Sequence, residues 1–353
     1  MIKKRWIIYG SYGYTGSLIA EKLVDSDYEI ILSGRNSVKL QHQSEQLGFN
    51  WIKADLNNLA EMNQLLGESE LVIHCAGPFK YTWKKMAEAC IRNNCHYIDI
   101  TGEIEVFEGL KLMDKEIMEA GIMALPGAGF DVVPSDCLAG YLKSKLPDAH
   151  ELELAFAGLG GGVSHGTSKT MIENLGSGGA VRRNGKIKRV PLANSVKTFD
   201  FPDGKKRTAV SIPWGDLSTA FTSTGIPDIT VYMAIPKSSI KWMKLMNYMT
   251  FLFKTDLIKY ILNKIIERRP AGPHKKQRET GKSYFTGTVY NKNGDSFSAG
   301  LKTPEGYRLT AAAAVLIAEK ISVGKWKAGY HTPVTAFGTD LILEIKGTER
   351  EDN

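Results

Sequence analysis

Three glycines near the start of the chain have the spacing of a phosphate-binding turn. They are spaced G-x-x-G-x-x-G from Gly10, between an apolar run at residues 6–9 and a segment with helical periodicity at residues 17–24. Glycine allows a tight turn and a close approach of the backbone to a pyrophosphate, and the free amides at a helix N-terminus favour negative charge. The turn therefore predicts a dinucleotide site, although its spacing departs from the commoner G-x-G-x-x-G. The residues of this turn that are predicted to bind the cofactor are Gly10, Ser11, Gly13, Tyr14, Thr15 and Gly16.

The end of the second apolar run, at residues 30–32, indicates which nucleotide is bound. An enzyme that uses NAD usually has an acidic residue there, which accepts a hydrogen bond from the ribose 2′-hydroxyl. This chain has Ser33, Gly34 and Arg35 at that point and Lys39 one helical turn later, with no acidic residue. A guanidinium can bind a 2′-phosphate through paired hydrogen bonds. These four residues predict NADP as the cofactor; the alternative is that Arg35 is only a solvated residue at the start of a helix.

Three later strand ends supply further residues that we expect beside the cofactor. Asp55 follows a short strand at residues 51–53, where it lies near the adenine, caps the helix at residues 58–66, or does both. Glu103 follows the strand at residues 96–100; it acts on cofactor or substrate, or is a plain surface acid. The carboxyl ends of parallel strands form the ligand-binding edge of an open α/β sheet. The residues predicted to line the cofactor at these ends are Asp55, Cys75, Ala76, Gly77, Pro78, Phe79, Thr101, Gly102 and Glu103.

The order of apolar runs predicts two domains. Six short runs alternate with helical segments up to residue 125, which predicts an α/β domain with a Rossmann-type, doubly wound parallel sheet. The pattern then changes to alternating strands, with a hairpin at residues 284–301 around an Asn-Gly turn. We therefore predict an NADP-binding domain at residues 1–135 and a second, α+β domain with a mostly antiparallel sheet at residues 136–308. Residues 309–353 are predicted to form a C-terminal helix and a tail.

The composition and charge exclude several classes of protein. With 43% apolar and 24% charged residues, the chain has the composition of a soluble globular protein. The four cysteines form no C-x-x-C pair and match no metal spacing, so we expect reduced thiols, no metal site and a cytoplasmic location. Residues 237–278 contain eleven Lys or Arg and two acidic residues, whereas the rest of the chain has 34 basic and 36 acidic residues. A basic excess confined to one segment argues against binding to nucleic acid.

One segment of the second domain, residues 238–269, combines bulky apolar side chains with a cationic rim. Its longest uncharged run, residues 245–253, has nine residues and is too short to span a bilayer. Two interpretations of this amphipathic insert remain open. It packs in an interface or over the active site, or its surface at residues 240–269 meets a membrane or long acyl chains. The second interpretation would place the protein peripherally at a membrane.

Two residues are candidates for the proton source that a hydride-transfer reaction needs. Asp131 lies in a loop at residues 126–136 that two glycines and two prolines make rigid. The alternative for Asp131 is a carboxylate that caps the amides of its own turn. His165 follows three glycines and has an intrinsic acidity suited to proton donation, but a histidine in a loop is often only solvated. We therefore name Asp131 and His165 as the predicted catalytic residues.

Motifs along nearly the whole chain resemble those of the saccharopine dehydrogenase family, in particular its NADP-dependent branch that includes the trans-acting enoyl reductases. They are the glycine turn, Ser-Gly-Arg at 33–35, Cys-Ala-Gly-Pro-Phe at 75–79, His-Tyr-Ile-Asp-Ile-Thr-Gly-Glu at 96–103, Gly-Phe-Asp-Val-Val-Pro-Ser-Asp at 129–136 and Gly-Tyr-His-Thr-Pro at 329–333. The resemblance implies an NADP-dependent oxidoreductase whose second domain is similar to that of glyceraldehyde-3-phosphate dehydrogenases. It also implies that the C-terminal helix returns to the first domain. We further expect a homodimer.

These observations predict an enzyme that transfers hydride from NADPH to an activated C=C or C=O bond. A site for an amino-acid imine, the substrate type of saccharopine dehydrogenases, should leave clustered arginines in the second domain. Here the basic residues cluster beside apolar helices instead. We therefore expect an apolar, lipid-like or polyketide-like small molecule as substrate, with an imine-forming dehydrogenase as the alternative. A further alternative is a protein that binds NADP without catalysis and docks to a membrane or partner through its basic amphipathic insert.

Overall fold

The chain folds into two units, each built around its own β-sheet. The computed structural model describes residues 4–159, 162–249 and 255–352. The first unit comprises Met1–Phe130 and Tyr307–Ala336, and the second comprises Asp131–Gly306 and Phe337–Asn353. Residues 337–353 therefore group with the second unit, and the implied return of the C-terminal segment to the first domain applies only to residues 307–336.

A seven-stranded parallel sheet forms the centre of the first unit, in the order β15-β6-β5-β4-β1-β2-β3. Strands are numbered in chain order, and those of this sheet are β1 (Arg5–Tyr9), β2 (Glu29–Gly34), β3 (Asn50–Lys53), β4 (Leu71–His74), β5 (His96–Asp99), β6 (Met123–Leu125) and β15 (Gly329–Tyr330). Strands β2 and β3 lie on one side of β1, and β4, β5 and β6 lie on its other side. The direction in which the chain adds strands therefore reverses at β1, and such a switch point opens a ligand-binding crevice. The predicted parallel sheet of a Rossmann-type fold is confirmed.

Helices cover this sheet because its central strands are apolar on both faces. Trp6, Ile7 and Ile8 of β1 are fully buried, as expected for a strand inside a parallel sheet. The helices of this unit are α1 (Tyr14–Lys22), α2 (Ser37–Leu47), α3 (Leu59–Leu66), α4 (Trp83–Asn93), α5 (Ile104–Leu112), α6 (Asp114–Glu119) and, from Tyr307 onward, α13 (Gly306–Ser322). The seventh strand, β15, was not predicted, because two residues are too few to show a periodic pattern.

The second unit contains a mixed, mostly antiparallel sheet, in the order β10-β11-β12-β7-β13-β14-β16, with β8 joining β12 to β9. Among the strands that the structure describes in this sheet, only β12 and β7 pair in parallel. The strands are β7 (Glu151–Leu159), β8 (Gly179–Arg183), β9 (Lys186–Val190), β10 (Val196–Asp200), β11 (Lys206–Ser211), β12 (Asp228–Ala234), β13 (Lys282–Tyr290), β14 (Ser296–Pro304) and β16 (Glu349–Asp352). The pairing of β16 with β14 explains why the end of the chain belongs to this unit.

Six helices accompany this second sheet in the described residues. They are α7 (Val133–Lys145), α8 (His165–Glu173), α9 (Asp216–Thr224), α10 (Lys237–Met246), α11 (Asp256–Glu267) and α12 (Lys275–Thr280), while α14 (Pro333–Phe337) spans the last crossing between the units. The predicted hairpin is confirmed as β13–β14, with Gly294 at a positive φ of 92° in its turn. Part of the uncharged run, residues 250–253, and the glycines at 160–161 lie outside the described residues.

The predicted start of α1 was wrong in detail, and one alternative for Asp55 is excluded. Helix α1 begins at Tyr14, inside the glycine motif, rather than at residue 17. Helix α3 is capped by Asn58, whose side chain accepts from the amides of Ala60 and Glu61, so Asp55 is not its N-cap. In α1 the early start brings the unpaired amides of the first helical turn into the glycine turn itself.

Candidate functional site

The glycine turn is packed so closely that two of its positions have no room for a side chain. The amide of Gly10 donates to Ser33 O over 2.7 Å, which holds the turn against the end of β2. A Cβ atom on Gly10 would lie 2.9 Å from Ala76 N, and one on Gly16 would lie 2.5 Å from Gly10 O. Gly10 also has a positive φ of 82°. The sequence motif therefore forms a close backbone cradle at the switch point, as predicted for a pyrophosphate.

Two polar groups in this cradle lack partners among the described residues. The side chain of Gln43 donates through Nε2 to Ser11 O over 2.9 Å and thereby ties α2 to the turn. The Oε1 atom of Gln43 and the Oγ atom of Ser11 are buried, and neither makes a hydrogen bond to any residue that the structure describes. Buried polar groups are normally satisfied. A polar ligand at the turn would account for them, so these residues fit a bound dinucleotide.

The residues predicted to select the nucleotide lie at the start of α2. Asn36 caps this helix by accepting a 3.0 Å hydrogen bond from the amide of Lys39, and the side chains of Arg35 and Lys39 are exposed. The ammonium group of Lys39 lies 5.7 Å from the centre of the Tyr12 ring. A cavity of about 390 Å³ opens here, lined by Tyr12, Ser17, Val38, Lys39, His42, Gln43 and Gln46. The prediction missed Tyr12, His42 and Gln43; the last two follow Lys39 at helical spacing and could have been found that way.

The loop after β4 is held by a carboxylate from the neighbouring strand. Glu103 is buried, and its two oxygens accept hydrogen bonds of 2.9 Å each from the backbone amides of Phe79 and Lys80. The loop includes a cis peptide bond between Gly77 and Pro78. Glu103 is therefore not a plain surface acid; it positions the segment that was predicted to lie along the nicotinamide. A contact between Glu103 and the cofactor stays a prediction.

His74, the last residue of β4, supports the same loop and was missed. Its Nε2 atom lies 2.9 Å from Thr82 Oγ1, and that hydroxyl donates to Ala76 O over 2.8 Å. The Thr82 hydroxyl has one proton and donates it to the carbonyl oxygen of Ala76. In the bond between His74 and Thr82, Nε2 of His74 must therefore be the donor. Burial lowers the pKa of His74 to about 3, so the ring is neutral. A polar residue at the end of an otherwise apolar strand was the signal in the sequence.

A buried carboxylate connects the loops after β5 and β6. Oδ1 of Asp99 accepts from the amides of Thr101 and Gly127 over 3.0 and 2.8 Å, and Oδ2 accepts from the Tyr97 hydroxyl over 2.5 Å. Burial raises the pKa of Asp99 to about 6, although these hydrogen bonds act in the opposite direction. Asp99 therefore sets the position of Thr101 and of the glycine loop that leads out of the sheet.

Two other predicted cofactor residues sit at neighbouring strand ends. Oδ1 of Asp55 accepts from the backbone and side chain of Asn57, and the Asp55 amide donates to Glu61 over 2.8 Å. Asp55 is thus fixed at the end of β3, and its contact with the adenine stays a prediction. Cys75 is half-buried, and burial raises the pKa of its thiol above the ordinary range. It is therefore a neutral thiol and not a reactive thiolate.

The two predicted catalytic residues lie in different surroundings within the second unit. Asp131 is half-buried, and its carbonyl oxygen accepts a 2.9 Å hydrogen bond from the indole of Trp214. His165 is the first residue of α8, and its Nε2 atom lies 2.8 Å from the carbonyl oxygen of Arg269. A carbonyl oxygen can only accept, so Nε2 carries a hydrogen that is already engaged. Proton donation by His165 would have to come from Nδ1, which makes Asp131 the better candidate.

A pair of buried carboxyl groups follows the Asp131 loop and was missed. Asp136 accepts a 2.6 Å hydrogen bond from Ser223, and Asp216 begins α9; both side chains are fully buried. Burial, followed by the charges of Asp136 and Asp131, raises the pKa of Asp216 well above its ordinary value. Sequence alone gave no signal, because residues 136 and 216 are 80 positions apart in the chain.

The described helices and the described metal-ligating side chains limit what the site can be. Each helix in the described ranges falls short of the length and apolar character that crossing a bilayer requires. The same ranges contain no group of three or more His, Cys, Asp or Glu side chains placed to hold a metal ion.

Together, the parallel sheet, the glycine cradle at its switch point and the basic start of α2 define a dinucleotide-binding domain. Residues 6–125 match the family model described as the saccharopine dehydrogenase NADP binding domain. This segment belongs to that domain family, the cofactor is NADP, and about half of the chain is similar to saccharopine dehydrogenase-like oxidoreductases. The resemblance seen in the sequence motifs is thereby confirmed.

The relatives are distant and longer than the matched segment. A saccharopine dehydrogenase-like oxidoreductase of Rattus norvegicus is 25% identical over 217 residues, which is 54% of this chain and 51% of the relative. Its counterpart of Homo sapiens is 26% identical over 214 residues, or 53% and 50% of the two chains. A trans-acting enoyl reductase of Mycobacterium leprae is 32% identical over 138 residues, or 37% and 33%. The chain thus matches about half the length of the first two relatives.

A solved structure has a similar fold over nearly the whole chain. The saccharopine dehydrogenase (L-Glu forming) of Saccharomyces cerevisiae superimposes with a TM-score of 0.65 over 99% of this chain and 100% of that one. Its sequence identity is 13%, so the likeness concerns the fold alone. It extends the resemblance beyond the NADP-binding domain to the second sheet.

Proposed function

We propose that this protein is an NADPH-dependent reductase that acts on an activated C=C or C=O bond of an apolar, lipid-like or polyketide-like substrate. The observation that carries the proposal is the NADP-binding domain, whose glycine cradle and ordered strand-end loops form one ligand edge. NADPH, when bound, supplies the hydride. The loops held by Glu103, His74 and Asp99 would fix the position of the nicotinamide half and exclude water from it.

The arginines of the second unit favour an apolar substrate over an amino-acid imine. Most of the described ones are engaged inside the unit: Arg182 with the carbonyls of Leu217 and Gly185, Arg183 with Thr230, Arg207 with Asp203, Arg278 with the carbonyl of Pro273, and Arg350 with Asp340. The others, Arg189, Arg268 and Arg269, are exposed. In the described part of the chain no buried guanidinium is therefore left to bind a dicarboxylate, which an imine of the saccharopine type requires.

The names of two relatives agree with a lipid-like substrate. The Mycobacterium leprae relative is a trans-acting enoyl reductase, and a Caenorhabditis elegans relative, 26% identical over 209 residues, is a lipid droplet localized protein. Both matches cover half or less of the relatives. They support the choice of substrate class without identifying a substrate.

Asp131 is the proposed proton donor. It lies in a loop whose backbone is held by Trp214, because the indole donates to the carbonyl oxygen of Asp131. His165 is the second candidate, but the bond from its Nε2 to Arg269 gives it a structural role as well.

Consumption of NADPH by the full chain tests this proposal. The acceptors to compare are a long-chain trans-2-enoyl thioester, a long-chain aldehyde and an amino-acid imine formed in solution. Asp131→Asn should lower turnover at least about 100-fold, as expected for the loss of a general acid, while NADPH binding is kept. Asp200→Asn, on an exposed edge strand, is the control. Turnover of the imine alone would overturn the substrate class and favour the imine-forming dehydrogenase.

The non-catalytic alternative predicts a different outcome of the same assay. If wild-type protein binds NADPH but none of the three acceptors is reduced, the reductase proposal fails. The protein would then be an NADP-binding protein that docks elsewhere, and Asp131→Asn would have no effect to report.

A further inference from the structure

Helix α11 carries an apolar stripe on its exposed side. Leu257, Ile261 and Ile265 recur every four residues along it, and their side chains are 69, 48 and 47% exposed. Residues four apart lie above one another on one face of a helix. Such a row of large aliphatic groups is unusual on a surface that meets only water.

A second stripe beside it combines an aromatic and two cationic side chains. Tyr260, Lys264 and Arg268 also recur every four residues and are exposed. The ammonium group of Lys264 lies 5.7 Å from the centre of the Tyr260 ring. Apolar residues flanked by tyrosine and by long cationic side chains are typical of a helix that lies in a bilayer interface, where the cations reach the headgroups.

The opposite side of α11 is the one that packs on the protein. Ile266 is buried, and Lys259 pairs with Glu173 of α8 over 3.2 Å. A second ion pair joins Lys169 of α8 to Glu267 over 3.6 Å. The fold therefore holds the helix by one side and leaves the stripe of Leu257, Ile261 and Ile265 outside, so this stripe is not required for the packing of α11 on α8.

Helix α10 also combines exposed apolar side chains with exposed lysines. Trp242 and Leu245 are 70 and 46% exposed, and Tyr248, just after the helix, is 83% exposed. Asn247 anchors this segment through paired hydrogen bonds with the backbone of Leu192, of 2.8 and 3.1 Å. The exposed basic residues of α10 are Lys237, Lys241 and Lys244. Two separate helices thus combine exposed aromatic and aliphatic groups with lysines.

We infer that α10 and α11 dock this protein onto the surface of an anionic lipid bilayer. The described residues 237–249 and 255–269 contain seven Lys or Arg and two acidic residues, so the segments that carry the apolar side chains have a net positive charge. Anionic headgroups attract such a surface while the apolar side chains enter the boundary of the acyl chains. A second copy of the chain would bring the same positive charge against it, which disfavours these stripes as a symmetric dimer interface. The inference does not depend on the proposed reductase.

Sedimentation of the full chain with vesicles tests the inference. Vesicles of phosphatidylcholine alone are compared with vesicles of phosphatidylcholine and phosphatidylglycerol, each at low and high salt. We expect binding to the anionic vesicles at least about tenfold tighter than to the neutral ones, and weaker binding at high salt. NADPH binding to the same samples monitors the first unit separately, so a failure here is distinguishable from a failure of the proposed function.

Two variants separate the apolar and the electrostatic contributions. Leu257→Ser with Ile261→Ser and Ile265→Ser should weaken binding to anionic vesicles about tenfold or more, because the inserted apolar area is lost. Lys237→Gln with Lys241→Gln and Lys244→Gln should remove most of the preference for anionic lipid. The lysine variant changes only exposed side chains of α10, so it remains informative if the serine variant unfolds.

Matched controls lie elsewhere on the chain. Leu112→Ser with Met118→Ser removes exposed apolar groups from the first unit, and Lys22→Gln with Lys186→Gln and Lys325→Gln removes exposed cations. An equal loss of vesicle binding in the control and test variants would overturn the inference. Wild-type protein that binds neutral and anionic vesicles equally, or that binds neither, would also overturn it. Self-association without vesicles that the serine variant abolishes would also overturn it, in favour of a second copy of the chain.

Discussion

The carboxylate of Glu103 accepts a 2.9 Å hydrogen bond from the backbone amide of Phe79. A side chain that follows β5 thereby fixes the loop that follows β4, at the edge of the sheet where NADP is predicted to bind. The second oxygen of Glu103 accepts from the next amide along the loop. One buried carboxylate thus satisfies two consecutive amides, which an amide side chain of the same shape cannot do.

Glu103→Gln tests this role. The substitution keeps the size of the side chain but turns one of the two accepting oxygens into a donor that faces an amide. We expect a loss of about 1–3 kcal/mol in the free energy of unfolding and weaker NADPH binding. Chemical denaturation and NADPH titration measure the two effects. Glu105→Gln, exposed at the start of α5, is the control, and equal stability of the two variants would contradict the prediction.

The basic start of α2 should decide between NADPH and NADH. Arg35→Ala and Lys39→Ala each remove a cation beside the predicted 2′-phosphate site, so NADPH binding should weaken about tenfold or more in each. NADH binding should change little, because it lacks that phosphate. Fluorescence titration of both nucleotides measures the preference, with Lys22→Ala at the far end of α1 as the control. An unchanged preference in both variants would show that Arg35 is only a solvated residue.

Gly16→Ala should disable the glycine cradle. Its methyl group would lie 2.5 Å from Gly10 O and 3.0 Å from the Cα atom of Ser11, so backbone must move. We expect NADPH binding to fall at least about tenfold because the turn can no longer approach the pyrophosphate. The same titration checks this result. Gly158→Ala, where an added Cβ meets no atom within 4 Å, is the control and should bind NADPH normally.

Asp99 should make the protein less stable as pH rises. Burial raises its pKa to about 6 in the folded protein, so the folded state keeps a proton that the unfolded state releases near pH 3.8. The free energy of unfolding therefore decreases as pH rises from about 3.8 to about 6, by up to about 3 kcal/mol for this group. Asp99→Asn removes the effect and keeps an acceptor for the amides of Thr101 and Gly127. Urea denaturation from about pH 4 to 7 measures the free energy of unfolding of both proteins. As pH rises over this range, wild type should lose stability relative to Asp99→Asn.

His74 should have the opposite effect on stability. Burial lowers its pKa to about 3 in the folded protein, whereas the unfolded chain titrates near 6.5. The stabilisation is complete above pH 6.5 and is lost as pH falls, by about 3 kcal/mol at pH 4. His74→Gln, whose amide can still donate to Thr82, should flatten this acid-side loss in denaturation experiments. His42→Gln, on the exposed side of α2, should leave the pH dependence as in wild type.

The sequence predicted the first sheet well because its signals are local. Each of the six predicted strands is a short apolar run followed by a helix, and the glycine motif falls between β1 and α1. The hairpin β13–β14 was predicted for the same reason, since an Asn-Gly pair specifies its own turn. Strand β15 has no such signal within a few residues, whereas the hairpin β8–β9 has an Asn-Gly pair at residues 184–185 and was missed.

By itself, the sequence determined the parallel dinucleotide fold, the preference for NADP and the residues of the glycine cradle. These properties depend on residue type and spacing over about 30 positions, which is the length of one βαβ unit. The tertiary structure alone decided how the site is supported. Glu103 reaches Phe79 across 24 residues and Gln43 reaches Ser11 across 32, through contacts that exist only after the strands have taken their order in the sheet. The pairing of residues that are distant in the chain follows from strand order and register, and no local pattern records it.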